Sequence, residues 1–196
     1  MPEAVASICG IETDTLVLEI EAFHGYRSPG ILIGARMIEK SLHELGDTPY
    51  LNMVSETVVC LPDAVQLLTG CTMGNGFLQV LDWGKFAVTA YDRTTLEGVR
   101  VWLNPDVLQR YPLIRAWFER NPGGPPKPPF EDMAVEILSA EDDLLPLRRV
   151  CLIKPLKNDQ PVPTRPCPGC GEYYPNHFGE RCPACQGKAY YQIPTT

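Results

Sequence analysis

This sequence predicts an α/β chain of the α+β type, with helices flanking a mixed or antiparallel sheet and a small four-cysteine appendage near the C-terminal end. Three observations carry that expectation. Ile31, Ala35, Ile38, Leu42 and Leu45 recur at helical spacing and form one apolar stripe. Short segments rich in Val, Phe, Tyr and Trp follow one another between residues 50 and 103, bounded by glycines and polar turns. Two Cys-x-x-Cys pairs, Cys167/Cys170 and Cys182/Cys185, stand eleven residues apart.

The 196 residues are 44% hydrophobic and 21% charged, enough apolar side chain for one ordinary domain with an appendage. The net charge is -7, a poor match to nucleic acid or an anionic membrane, whose recognition needs clustered Lys and Arg. Residues 165–196 are nearly neutral, with Arg165, Arg181 and Lys188 against Glu172 and Glu180, so a nucleic-acid partner is not favoured. The opening residues lack the basic start of an export signal and are interrupted by Glu12 and Asp14. No apolar run approaches the ~18 residues of a membrane helix. A cytoplasmic chain with reduced thiols is expected, and its cysteines then read as metal ligands, reactive thiols or buried apolar groups.

Residues 1–10 are expected as a loose arm. Residues 14–23 fit a strand or a short helix, and periodicity does not decide between them. Ser28 and Pro29 suit the cap and first position of a helix that Gly46 closes. Residues 50–59 read as a strand ending at Cys60, and Pro62-Asp63 opens a second helix that Gly70 ends, with Cys71 next. Residues 77–81 and 86–91 read as a β-hairpin turning at 82–85, and residues 98–103 as another strand. Two short helices at 107–110 and 112–119 precede a Pro/Gly break at 121–129, which no helix or strand crosses. A helix at 131–140 and a strand at 147–153 complete a core of residues 1–153. Residues 154–166 carry four prolines and read as a semi-rigid linker to residues 167–196.

The spacing of Cys167, Cys170, Cys182 and Cys185 suits one tetrahedral zinc held by a knuckle and hairpin. Four thiolates fill the shell, so this ion is structural, and His177 between the pairs is a loop residue rather than a ligand. Cys60 and Cys71 bracket the second helix at opposite ends, ~12 Å apart along its axis, so their sulfurs are not expected to share a metal unless the turn after the helix folds back or a neighbouring protomer intervenes. Taken alone, each reads as a small buried apolar residue. His24 precedes a helix N-terminus, a setting that favours anions or a thiolate-bound centre. The Gly74–Gly76 loop follows no phosphate-binding signature.

These pieces together resemble the FmdE family, the E-type component of formylmethanofuran dehydrogenase. The resemblance rests on Phe23-His24-Gly25 followed by Pro29-Gly30 and a helix, and on Cys60-x-x-Asp63-Ala64-x-Gln66-x-Leu68-Thr69-Gly70-Cys71. Asp82-x-Gly84-Lys85 adds to it. It covers residues 22–101 and the zinc ribbon. The resemblance implies an α/β core, homodimers and a metal-linked pocket at His24 and Cys60, with Cys71, Asp63 and Gln66 nearby. The family commonly reads His-Gly-His-x-Cys-Pro-Gly, whereas this chain has Tyr26 and Ser28 in place of the second histidine and the cysteine. Hydroxyl side chains are poor ligands for zinc or iron, so a second metal in the core would draw on Cys71, water or a neighbouring protomer, or the pocket has lost its metal. The implied role is an accessory or small-molecule-binding protein, with a small-molecule ligand or an oxidoreductase partner, in one-carbon or molybdenum/tungsten enzyme metabolism. Two alternatives stand beside it: a metal-dependent enzyme with an open site at His24/Cys60, and a ribbon-mediated protein-interaction module.

Overall fold

A computed structural model describes residues 6–119, 126–156 and 161–192. The chain divides into two compact units, Met1–Lys157 and Asn158–Thr196. Residues 1–5, part of the expected arm, 121–125 of the expected break and 157–160 of the expected linker lie outside the described residues.

The first unit begins with a small hairpin. Strands β1 (Ser7–Ile8) and β2 (Ile11–Glu12) pair antiparallel across Cys9-Gly10. Both turn residues have positive φ, the geometry of a tight two-residue hairpin. Ile8 is fully buried, so this part of the arm is docked rather than loose. Helix α1 (Thr13–His24) resolves the ambiguity of that segment: Leu16 and Ile20, four residues apart, are buried on one helical face. Gly25, at φ 90°, ends it.

Helix α2 (Pro29–Leu45) is the centre of the unit. Its first half is buried well beyond the expected stripe, from Gly30 through Ala35 without interruption. Two strands of the main sheet and three other helices pack against it, so little of its surface there faces water. Gly30 and Gly34, one turn apart, allow helix α3 (Leu61–Leu68) to come close. A Cβ on Gly34 would lie 2.9 Å from Ala64 Cβ and from Leu61 Cδ2.

The five-stranded sheet has the order β4-β3-β5-β6-β7, with β3 Leu51–Ser55, β4 Leu78–Val80, β5 Ala87–Asp92, β6 Glu97–Trp102 and β7 Leu147–Cys151. It is mixed. β3 and β4 pair parallel, joined through α3, and the remaining pairs are antiparallel. The hairpin expected between 77–81 and 86–91 does not form. Those strands lie on opposite sides of β3, and the connection crosses the end of β3, where Trp83 and Lys85 donate backbone hydrogen bonds to the Glu56 carbonyl. The hairpin in this region joins β5 to β6. Its turn is held by the Asp92 carboxylate, which accepts from Thr94 N at 2.7 Å and Thr95 N at 3.1 Å. A 3-10 turn (Pro105–Arg110), α4 (Pro112–Phe118) and α5 (Phe130–Ser139) complete the layer of helices.

One buried charge pair braces the sheet. Glu56, just past β3, has a 5% exposed side chain and meets Arg100 of β6 in two parallel bonds, Nε–Oε1 2.6 Å and Nη2–Oε2 2.7 Å.

The second unit is a knuckle and hairpin. Strands β8 (Thr164–Pro166) and β9 (Tyr173–Pro175) pair antiparallel. The segment read as linker thus supplies a strand of this module. Among its described residues Cys167, Tyr174 and Cys182 are buried, with Ala184 and Cys185 packed against them.

Candidate functional site

The start of helix α3 has a strained approach. Cys60 sits at φ 60° and ψ -49°, and Leu61 N donates to the Val59 carbonyl at 2.7 Å, so Cys60 is the central residue of a γ-turn that non-glycine residues rarely adopt. The turn directs the Cys60 sulfur against the N-terminus of α2, where Ser28 Oγ lies 3.5 Å away. Gly30 is what lets the two helix starts meet: a Cβ there would lie 2.7 Å from both Cys60 Sγ and Trp117 Cη2.

Beside this contact opens a cleft of about 330 Å³, lined by Tyr26, Ser28, Cys60, Trp117, Lys127 and Phe130 among others. A second hollow of about 240 Å³, lined by Thr57, Gly84, Phe86 and Phe118, shares Val59 and Trp117 with the first. Phe86, Trp117 and Phe118 meet edge to face, with Trp117 and Phe118 centroids 4.7 Å apart.

The expected pocket residues separate into three groups. Tyr26, Ser28 and Cys60 line the cleft. His24 and Asp63 form their own pair, Nδ1 to Oδ2 2.6 Å, with Tyr26 tilted over the imidazole at 4.5 Å. His24 Nε2 is buried with no hydrogen-bond partner. Gln66 and Cys71 sit at the far end of α3. Gln66 accepts from Met73 N at 3.3 Å, and the Cys71 thiol, pushed up by burial, donates to the Leu51 carbonyl at 3.5 Å.

Among the described residues, Cys167, Cys170, Cys182 and Cys185 are the group whose ligand atoms all lie within 4.8 Å of one another. His24, Cys60 and Cys71 do not assemble in that way. The helix between Cys60 and Cys71 keeps them apart, and the side chain beside the core thiol is the Ser28 hydroxyl. This chain's own core residues therefore do not fit a metal centre. Sequence reasoning missed Arg27, Trp117, Lys127 and Phe130. Lys127 lies in a proline-rich stretch whose pattern marks a break, and Trp117 lies in a short helix without a motif.

The ribbon sulfurs are prepared for a cation. Backbone N–H groups of Cys182 and then Gly169 point at Cys167 Sγ, each at 3.4 Å, and hold its thiol down to about 6. Hydrogen bonding with the Cys182, Cys167 and Cys170 sulfurs pushes Cys185 up to about 12. Four thiolates in so small a volume repel one another until a dication lies among them, and the set fits structural zinc.

Fold and site define a cleft-bearing α/β domain joined to a four-cysteine zinc module. The chain belongs to the FmdE family: residues 23–148 match the model described as "FmdE, Molybdenum formylmethanofuran dehydrogenase operon". Residues 160–192 match the FmdE treble clef zinc finger. A crystal structure of an FmdE-like protein of tungsten formylmethanofuran dehydrogenase type, from Syntrophus aciditrophicus, is 41% identical, with a TM-score of 0.85 over 97% of this chain and 100% of that one. A protein of Archaeoglobus fulgidus named as a probable S-adenosyl-L-methionine-binding protein is 36% identical over 104 residues, 49% of this chain. The chain spans only 28% of that relative's length.

Proposed function

We propose that this chain is a zinc-carrying small-molecule-binding accessory protein, acting beside an oxidoreductase of one-carbon or molybdenum/tungsten metabolism. The observation that carries the reading is the cleft at the meeting of α2 and α3, walled by aromatic rings and holding a buried thiol. The name of the Archaeoglobus relative, which concerns binding of a small molecule, supports the same kind of role. Eight cysteines without a disulfide support a reducing, cytoplasmic setting. Exposed Leu18, Phe23, Val58, Val59 and Met73 support a homodimer, which light scattering would report directly.

A small-molecule screen by amide NMR on the full chain tests the reading. Ligands should shift the Ser28, Cys60 and Trp117 amides. A screen whose hits spare all three overturns it.

One observation favours a second reading, a metal centre completed from outside the chain. His24 Nε2 is buried without a partner while Nδ1 is held by Asp63, the arrangement of a metal-bound histidine. Two zinc ions per chain, falling to one in His24→Ala, would support it. One zinc in both proteins would end it.

A further inference from the structure

We infer that the cleft takes an oxyanion, a carboxylate or phosphate ester, carried on a flat apolar body. This deepens the small-molecule reading above and rests on it.

Charge in the cleft runs against that of the whole molecule. The chain is acidic, at -7, yet among the described residues no carboxylate lines the cleft, while Arg27 and Lys127 both do. Arg27 already pairs with Glu21 at 3.0 Å and Glu131 at 3.4 Å. Lys127 has no ion pair among the described residues, so its charge is available.

Backbone polarity adds the same sign. Three helices begin at this cleft: α2 of 17 residues behind Ser28, α3 of 8 residues behind Cys60 and α5 of 10 residues at Phe130. None of the three is capped by its N-cap side chain. Their positive ends point the same sign of partial charge at one volume. The first-turn acids Asp63, Glu131 and Asp132 are not among the residues that line the cleft.

A buried hydroxyl lies at the same place. Ser28 is 1% exposed, lines the cleft and has one hydrogen-bond contact for its hydroxyl, the Cys60 sulfur at 3.5 Å. When the thiol donates to Ser28 Oγ, the serine proton is left to be given to a ligand oxygen. The adjoining hollow of Phe86, Phe118 and the shared Trp117 supplies apolar walls for the body of the same ligand.

The test titrates the full zinc-loaded chain by amide NMR with four probes of one shape: 1-naphthoate, 1-naphthyl phosphate, 1-naphthylmethanol and 1-naphthylmethylammonium. At least one anionic probe should shift the Ser28, Gly30, Cys60 and Phe130 amides and bind about tenfold or more tighter than the alcohol, with the ammonium weakest. Lys127→Gln, an exposed change, should weaken that anion about three- to tenfold at low salt and leave the alcohol unchanged. Ser28→Ala should weaken the anion again without moving the alcohol. An alcohol as tight as the anions, or an anion indifferent to Lys127→Gln, overturns the oxyanion inference while leaving a ligand cleft in place. If no probe shifts a cleft amide, the inference also falls. The broader reading falls with it only if the unbiased screen finds no ligand at those amides.

Discussion

His24 Nδ1 lies 2.6 Å from Asp63 Oδ2, joining the last residue of α1 to the first turn of α3. In the neutral ring, Nδ1 donating to the carboxylate leaves the lone pair on Nε2, which is buried. Asp63→Ala removes the acceptor that fixes the tautomer. The nitrogen shifts of His24 should then move toward the tautomer mixture of a free histidine. Stability should fall by about 1 kcal/mol, because Asp63 is partly exposed and the bond is discounted for solvent. Unchanged nitrogen shifts would show that Asp63 does not orient the ring.

Gly30 faces a different demand. Alanine in an open helix position gains about 1 kcal/mol over glycine. Here its Cβ would lie 2.7 Å from Cys60 Sγ and Trp117 Cη2, and such overpacking costs about 1–3 kcal/mol. The clash wins, so Gly30→Ala should lower the urea midpoint and shift the Cys60 and Trp117 amides. A rise in stability would mean that the two helix starts are looser than these distances require.

Glu56 and Arg100 should behave as a unit. Glu56→Ala leaves a half-buried guanidinium without its carboxylate and should cost about 3 kcal/mol. Adding Arg100→Leu should restore much of the loss, since replacing a buried pair by apolar groups is often nearly neutral. Additive losses in the double variant would refute the coupling.

These residues show what was legible in the sequence. The α2 stripe, the zinc ligands and the strands at β5 to β7 rest on local signals: apolar period, ligand spacing and β-branched runs. Motifs mark His24, Asp63, Tyr26, Ser28 and Cys60 as one pocket, but their division into a His24–Asp63 pair and a Ser28–Cys60 cleft is not legible there, because it depends on how α1, α2 and α3 meet. The false hairpin has the same cause. A polar four-residue connection looks alike whether it turns back on its own strand or crosses the end of a third. Lys127, Trp117 and Arg100 carry no local mark at all, since each acquires its role from partners distant in sequence.

The β5–β6 turn gives a pH prediction. Hydrogen bonds from Thr48 and then Thr94 hold the Asp92 carboxyl well below the usual carboxylate range. A depressed folded pKa contributes stability that is present above the unfolded value, about 4, and is lost as pH falls through the folded value. The Thr94 and Thr95 amides should therefore keep their hydrogen-bonded shifts through pH 4 and lose them only at lower pH. In Asp92→Asn this carboxylate titration should disappear from both amides. A midpoint near 4 in the wild type would show that the turn does not hold the charge.

Removing zinc should separate the two units' fates. Among its described residues the second unit buries Cys167, Tyr174 and Cys182, too few to offset the chain entropy of a 39-residue unit. The first unit has its own extensive core and no part in the four-sulfur site. A strong chelator, or Cys182→Ser, should therefore collapse the amide dispersion of residues 161–192 while leaving the shifts of α2 and the five-stranded sheet unchanged. Acid should do the same. Zinc binds thiolates, so protons compete for the four sulfurs as pH falls. Metal content should track the loss, from one bound zinc to none. Retained dispersion in the chelated ribbon would mean that its few packed side chains suffice without the ion.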